Sequence, residues 1–439
     1  MVTGIILTRR VRSTLDRFAA NYITYWSCTM AQTGLPIARS GKTRLAVWIG
    51  LLGLLVSFAC LAIPMYVIRP FRPQDPWQLD AALTIRGLSP WISAVCSIAA
   101  LAALARAWRD LRIWLRCALA TLSLLTVASA VLTHVNVFEI MFHPYSEPEF
   151  ESAATAKVDS DDKVLSVTLH GESRAYPIRI MGYHHIVNDT VGDTPIAVTY
   201  CTLCHTGLVW SRMVDGQTLH FRLAGINNGN ALMRDEETSS IWQQSTGIAI
   251  FGPFRGRQLQ LVHCDELSFA LWRKEEPRGL VLKPDAKYAS EYDDKDWEKH
   301  IEKTRTVVDT SKSGIAPHEL MLGVTAAGES KAFPVKSILT AKLIQDRIAN
   351  IPLLLVVGPD HTSIRAFKPG TVTFVSTADS ALPGTGAIMR DAETGSNWNF
   401  QGCAFDGSLA GRCLEPVDAF KDYWFDWMNH HPGTLVFRS

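Results

Sequence analysis

Apolar positions run almost unbroken in three stretches between residues 45 and 137, and the apolar excess of the chain is concentrated there. Residues 45–68 (LAVWIGLLGLLVSFACLAIPMYVI) carry no charge, residues 87–105 end abruptly at Arg106, and residues 117–135 (CALATLSLLTVASAVLTHV) are the third stretch. A helix rises about 1.5 Å per residue and the lipid core is about 30 Å thick, so roughly 20 apolar residues suffice to cross it. The three stretches are therefore predicted as transmembrane helices, the second barely long enough. Buried helices of a soluble protein would be shorter or amphipathic. Pro64 and Pro90 are tolerable inside lipid-spanning helices.

From about Val164 the pattern changes to short alternating runs broken by Gly, Pro and Asp. Alternation at period two marks strands with one buried face. LVWSRMVDGQTLHFRL reads as a hairpin around Asp215-Gly216, the pair that type I′ turns favour because both central residues need positive φ. Helical patterns are confined to residues 265–275, 341–348 and 417–428. The expected fold is about three N-terminal transmembrane α-helices plus a β-rich α+β C-terminal domain, joined by a linker over residues 138–163.

Self-similarity subdivides that domain. GESRAYP from Gly171 recurs as GESKAFP from Gly328, and MRDEETSSIW from Met233 recurs as MRDAETGSNW from Met389. Between them PIAVTYCTLCHT, from Pro195, lines up with PLLLVVGPDHTS, from Pro352. Two similar repeats are expected, residues 164–320 and a degenerate copy over 321–439, packed as a pseudo-two-fold pair. Residues present in both copies are then scaffold, and those in one copy only are candidates for chemistry.

Overall charge is uninformative: 43 Lys+Arg against 42 Asp+Glu give +1, without the basic field that nucleic-acid binding needs. Its distribution is informative. Residues 1–44 hold seven basic side chains (Arg9, Arg10, Arg12, Arg17, Arg39, Lys42, Arg44) against Asp16, and Arg106, Arg109, Arg112 and Arg116 follow the second span. Residues 136–156 hold none. Basic flanks stay cytoplasmic, so a multi-pass protein of the inner membrane is expected, its partner the lipid bilayer, with everything after residue 137 in the periplasm or outside the cell. The first span is too long and too far from the start for a cleaved signal peptide, and initiation at Met30 would leave this topology unchanged.

Cys201-Thr-Leu-Cys204-His205 occurs in the first repeat only, and Tyr183-His184-His185-Ile-Val-Asn188-Asp189 lies just upstream, again without histidines in the second. Four readings stay open at this point. One is covalent c-type haem with His205 as axial ligand. Another is a thiolate–imidazole metal site for copper or zinc. The third is a dithiol–disulfide pair, and the fourth a merely structural pair of thiols. The Met233–Trp242 box, shared by both copies, is expected to be scaffold, with Met233 or Asp235 as secondary site candidates. Cys403 and Cys413 flank a turn at Gly407 and are candidates for a disulfide in an oxidising compartment. Cys28 is expected in the cytoplasm, Cys60, Cys96 and Cys117 in or beside the spans, and Cys264 is left over.

Taken in order, GESRAYPIRIMGYHHIVNDTVGDTPIAVTYCTLCHTGLVW and ALMRDEETSSIWQQSTGIAIFG resemble the domain of unknown function 3179 family over roughly residues 160–439. The resemblance rests on His184, Asn188 and Asp189, then Tyr200, Cys201 and Cys204, then Asp235, Thr238, Ser240, Trp242 and Gln244. Where that family has a small or polar residue this chain has His205, so the resemblance implies that the haem-like fifth position is incidental. It implies no reaction. The leading expectation is a site of Cys201, Cys204 and His184 that binds a thiophilic metal, copper first, or cycles thiols, with His205 and His185 as second choices. A binding or assembly module with structural thiols is the alternative.

Overall fold

The computed structural model describes residues 41–145, 147–292, 296–377 and 386–438. Most of the basic N-terminal segment, with Cys28, lies outside the described residues. Three helices, α1 (Gly41–Val67), α2 (Pro76–Ala107) and α3 (Ile113–Leu132), are long and apolar enough to cross a membrane. Their large apolar side chains, among them Leu52, Leu55, Phe58 and Leu124, are exposed, whereas small residues such as Gly50, Gly53, Ser57, Ser123 and Thr126 are buried. Small residues let helix backbones approach where water provides no driving force. A Cβ on Gly53 would stand 3.4 Å from the Cys96 carbonyl oxygen, and Ser89 donates its hydroxyl to the Cys60 carbonyl at 2.9 Å.

Helix α2 starts eleven residues before the expected span of 87–105. The reason is tertiary: residues 65–83 form one compact body with residues 136–439, apart from the rest of the helical region. Ile68, Leu79, Ala82 and Leu83 pack against Ala224, Leu232 and Ile241. The Gln74 amide N–H donates to Asn228 Oδ1 at 2.8 Å, and the Asn228 amide N–H returns a bond to Gln74 Oε1 at 2.7 Å. The segment expected as a linker carries a helix at Val137–Phe142 and a strand at Phe150–Ser152.

The β-rich region is built from six sheets of three to five strands and one two-stranded ribbon among the described residues. Asp215 and Gly216, at φ 50° and 80°, make the turn of that ribbon, where Val214 faces Gln217. Lys163–Leu169, Glu172–Pro177, helix Ile178–His184, Ile186–Val191, Thr194–Cys201 and Thr206–Ser211 follow one another. The same order returns as Leu320–Ala326, Glu329–Pro334, helix Val335–Ala341, Leu343–Ile348, Ile351–Val357 and Ile364–Lys368. Registers agree too. Val164 faces Pro177 as Met321 faces Pro334, and a later strand pairs on the other edge, with Leu267 opposite Val164 and Asp422 opposite Met321. A short helix follows each of these later strands, Phe269–Glu275 and Trp424–His430.

Those two late segments pack crosswise. Leu267, Leu271 and Trp272 share a core with Leu354, Val356 and Phe400. Tyr423 and Phe425 share another with Cys201, Cys204 and Trp242. The boxes are also alike in detail: Trp242 Nε1 donates to Asp235 Oδ2 at 2.8 Å and Trp398 Nε1 to Asp391 Oδ2 at 3.0 Å, each carboxylate also holding the Thr three residues on, Thr238 or Thr394.

The helix expected over 341–348 is displaced. The helix is Val335–Ala341, it ends where Lys342 turns left-handed at φ 62°, and Leu343–Ile348 is a strand paired with Ile351–Val357. Likewise Asp265–Ser268 and Ala419–Tyr423, expected as helix, are strands that lead into short helices. Edge pairing to Lys163–Leu169 and Leu320–Ala326 outweighs local propensity there. Cys403 and Cys413 are joined by a disulfide.

Candidate thiol site

Strand Thr194–Cys201 delivers Cys201 at its last residue, and the tight connection to Thr206–Ser211 brings Cys204 back beside it. The two Sγ atoms lie 2.9 Å apart without a bond, within about 1 Å of disulfide length. Cys201 is 3% exposed and Cys204 is fully buried. Both face the Gly229 carbonyl, at 3.6 and 3.2 Å. Gly229 has φ 99°, and a Cβ there would meet the Phe425 ring at 2.8 Å, so glycine is required on both counts. Gly229, Leu203 and Phe425 also line a shallow surface pocket with Phe71, Arg305 and His318, which neither cysteine reaches.

Around the sulfurs is a buried polar network. The Asn230 side-chain amide donates to Cys204 Sγ at 3.3 Å, to Gln244 Oε1 at 3.1 Å and to Asp426 Oδ2 at 2.9 Å. Gln244 donates in turn to the Thr199 hydroxyl and the Thr206 carbonyl, and the Thr206 hydroxyl donates to Asp422 Oδ1 at 2.7 Å. Thr199, Thr206, Asn230, Asp422 and Asp426 are all wholly buried. The Tyr423 amide donates to the Cys204 carbonyl at 2.8 Å, which fixes the late strand against the CxxC turn. Burial pushes the Cys204 thiol well up, aided by its bond with Cys201 and the charge of Asp426. Burial, then the neighbouring Asp426, raises Asp422 well above the carboxylate range.

The histidines sit elsewhere. His184 closes its helix with both ring nitrogens engaged: Nδ1–H donates to the His143 carbonyl and Nε2 accepts from the Tyr292 hydroxyl, each at 2.6 Å. The tautomer follows, since a carbonyl only accepts. Burial lowers its pKa, and Tyr145, Tyr183 and Tyr288 crowd its ring. His185 donates Nδ1–H to the Tyr200 carbonyl at 2.8 Å, and burial pushes it down to about 4. His205 stacks on Trp297 with ring centroids 5.8 Å apart, neither ring nitrogen has a hydrogen-bond partner, and burial brings it to about 4. Met233 is a core residue opposite Trp242, and Asp235 braces the box. Among the described residues no group of three or more His, Cys, Asp or Glu is placed to hold a metal ion.

Sequence reasoning did not single out Asn230, Thr206, Asp422 or Asp426, and it named Gln244 only as part of the family box. The signal for the two acids was available: aligning Trp272 with Trp427 sets Leu267 opposite Asp422 and Leu271 opposite Asp426.

The model of the family described as "Protein of unknown function (DUF3179)" matches residues 144–434. The chain therefore belongs to the DUF3179 family. No curated protein and no solved structure gives a significant match.

Proposed function

We propose that this is a membrane-anchored thiol–disulfide redox protein whose β-rich domain, a duplicated unit, faces the periplasm or exterior and keeps one working site. Cys201 and Cys204 are the redox pair. What carries the reading is that four polar side chains of one core stand where the equivalent core is apolar, while the Thr206 position is polar in both, as Ser363. By strand register Thr199 corresponds to Val356, Gln244 to Phe400, Asp422 to Leu267 and Asp426 to Leu271. The apolar set makes a good core, so the polar set, which costs several kcal/mol to bury, is retained for something other than stability. Duplication is supported by the shared element order and by the twin boxes. Orientation is supported by the basic flanks. It is also supported by the packing of residues 65–83 with the domain, since the loop between the first two spans and everything after the third must share a side.

A second reading, two-coordinate binding of a thiophilic cation such as copper(I), is favoured by the juxtaposed sulfurs alone. Covalent haem finds less support, because both thiols are enclosed and His205 is sandwiched among Trp297, Tyr200 and Tyr423.

The test uses the full chain purified in detergent and equilibrated with thiol–disulfide buffers. After unfolding, thiols are alkylated and counted by mass spectrometry, and copper and zinc are measured on the same sample. Reversible interconversion of Cys201 and Cys204 between thiol and disulfide is expected. A pair that stays in one state across all buffers sinks the redox reading. Stoichiometric copper that disappears in Cys201→Ser would establish the second reading instead.

A further inference from the structure

We propose that Asp426, with Asp422 beside it, is the proton acceptor that lets the enclosed Cys204 thiol close the disulfide. This rests on the redox reading above. A thiol attacks only as thiolate, and Cys204 has neither solvent nor a cation to take or compensate its proton: it is wholly buried, with Gly229 oxygen, Asn230 nitrogen and Cys201 sulfur around it. Asp426 Oδ2 and Cys204 Sγ share one nitrogen of Asn230, at 2.9 and 3.3 Å. No other carboxylate is tied to the sulfurs in this way among the described residues.

The charged and titratable groups facing the acid pair are few. Cys201 and Cys204 come from the CxxC turn, and Asp422 lies four residues before Asp426, on the strand that leads into its helix. His430 Nε2 is 3.4 Å from Asp426 Oδ1, and His431 lies further along the same helix. Lys421, next in sequence, points away into an ion pair with Glu266 at 2.7 Å. Neighbouring buried carboxylates titrate as a pair, each disfavouring the charge of the other. Burial and the neighbouring Asp426 both favour the neutral form of Asp422, and Asp426 is the carboxylate that shares the Asn230 nitrogen with Cys204 Sγ. His430 is partly exposed and offers the way out.

In the forward direction the Cys201 sulfur, the less enclosed one, attacks one sulfur of a substrate disulfide. A mixed disulfide forms, and the first substrate thiolate leaves and takes up the proton that Cys201 gave. Cys204 then passes its proton to the Asp426 carboxylate and attacks Cys201 Sγ. The Cys201–Cys204 bond forms, the mixed disulfide breaks, and the second substrate thiolate leaves to be protonated from Asp426 by way of solvent. Two electrons pass from the pair to the substrate, and both thiol protons end on the two released thiols.

The first copy has already made the control substitution, with leucine at both acid positions. The experiment treats the reduced full chain in detergent with 2-hydroxyethyl disulfide between pH 5 and 9 and follows mixed disulfide and protein disulfide by mass spectrometry. In Asp426→Asn the Cys201 adduct should accumulate. Closure should slow about 100-fold at pH 7, with the loss shrinking as rising hydroxide takes over the proton. Asp422→Asn, which keeps an acceptor for Thr206, should slow closure much less, and it serves as the folding control and second probe. If Asp426→Asn does not fold, Asp426→Glu takes its place and should close at a shifted pH midpoint. Closure with an unchanged pH profile in the Asp426 variant overturns the proposal. Failure of the unsubstituted chain to react at all overturns the redox reading itself, and this inference with it.

Discussion

His205 gives the sharpest test of the electrostatics. Its ring is buried and stacked on Trp297, without a partner on either nitrogen, and Glu298 Oε1 approaches Nδ1 only to 3.8 Å. The nearby Glu266 and Glu298 favour the cation, yet burial outweighs them and holds the ring neutral until about pH 4. In the unfolded chain the ordinary value is 6.5. The folded pKa is depressed, so between about pH 6.5 and 4 the unfolded state binds more protons, and stability falls as pH falls through that window. At one pKa unit per 1.36 kcal/mol, His205 alone should remove about 2 kcal/mol between pH 7 and 5, and about 3 kcal/mol by pH 4. His205→Phe keeps the stack on Trp297 and removes the proton. Urea unfolding of the detergent-solubilised chain, followed by tryptophan fluorescence at pH 7, 6 and 5, should show the variant losing about 2 kcal/mol less than the original on going to pH 5. His185, also depressed to about 4, is unchanged in both and cancels in the comparison. Equal acid sensitivity of the two proteins would mean that His205 is hydrated or paired when folded, and the burial argument would fail.

Other substitutions probe the scaffold. Asp235→Ala and Asp391→Ala each strand a buried tryptophan N–H and the bonds to Thr238 or Thr394, so each should cost about 3 kcal/mol in the same unfolding assay, and a loss under 0.5 kcal/mol would refute the bracing role. Gly323→Ala should destabilise by about 3 kcal/mol or more, because a Cβ would stand 1.9 Å from the fully buried Trp427 ring; a wild-type unfolding midpoint would show that the ring can shift. Cys403→Ser should lower stability by about 2 to 3 kcal/mol under oxidising conditions and by little in reductant, the difference reporting the loop closed by the bridge to Cys413.

The sequence by itself determined the three apolar helices, the change to strands, the Asp-Gly turn and the family. Each is written in contiguous residues: lipid demands a long unbroken apolar run, a strand face demands period two, and a type I′ turn demands residues that accept positive φ. It also marked Cys201 and Cys204, because three residues of spacing keep them within one turn. Tertiary structure alone decided what surrounds them. His184, seventeen residues before Cys201, spends both ring nitrogens on His143 and Tyr292, whereas Asp422 and Asp426, more than 200 residues later, arrive through an edge strand and a seven-residue helix. Separation along the chain says nothing of distance once strands pair across it. That Leu267 and Leu271 match Asp422 and Asp426 can be read by aligning Trp272 with Trp427, but only the tertiary structure shows those acids arriving beside the thiols.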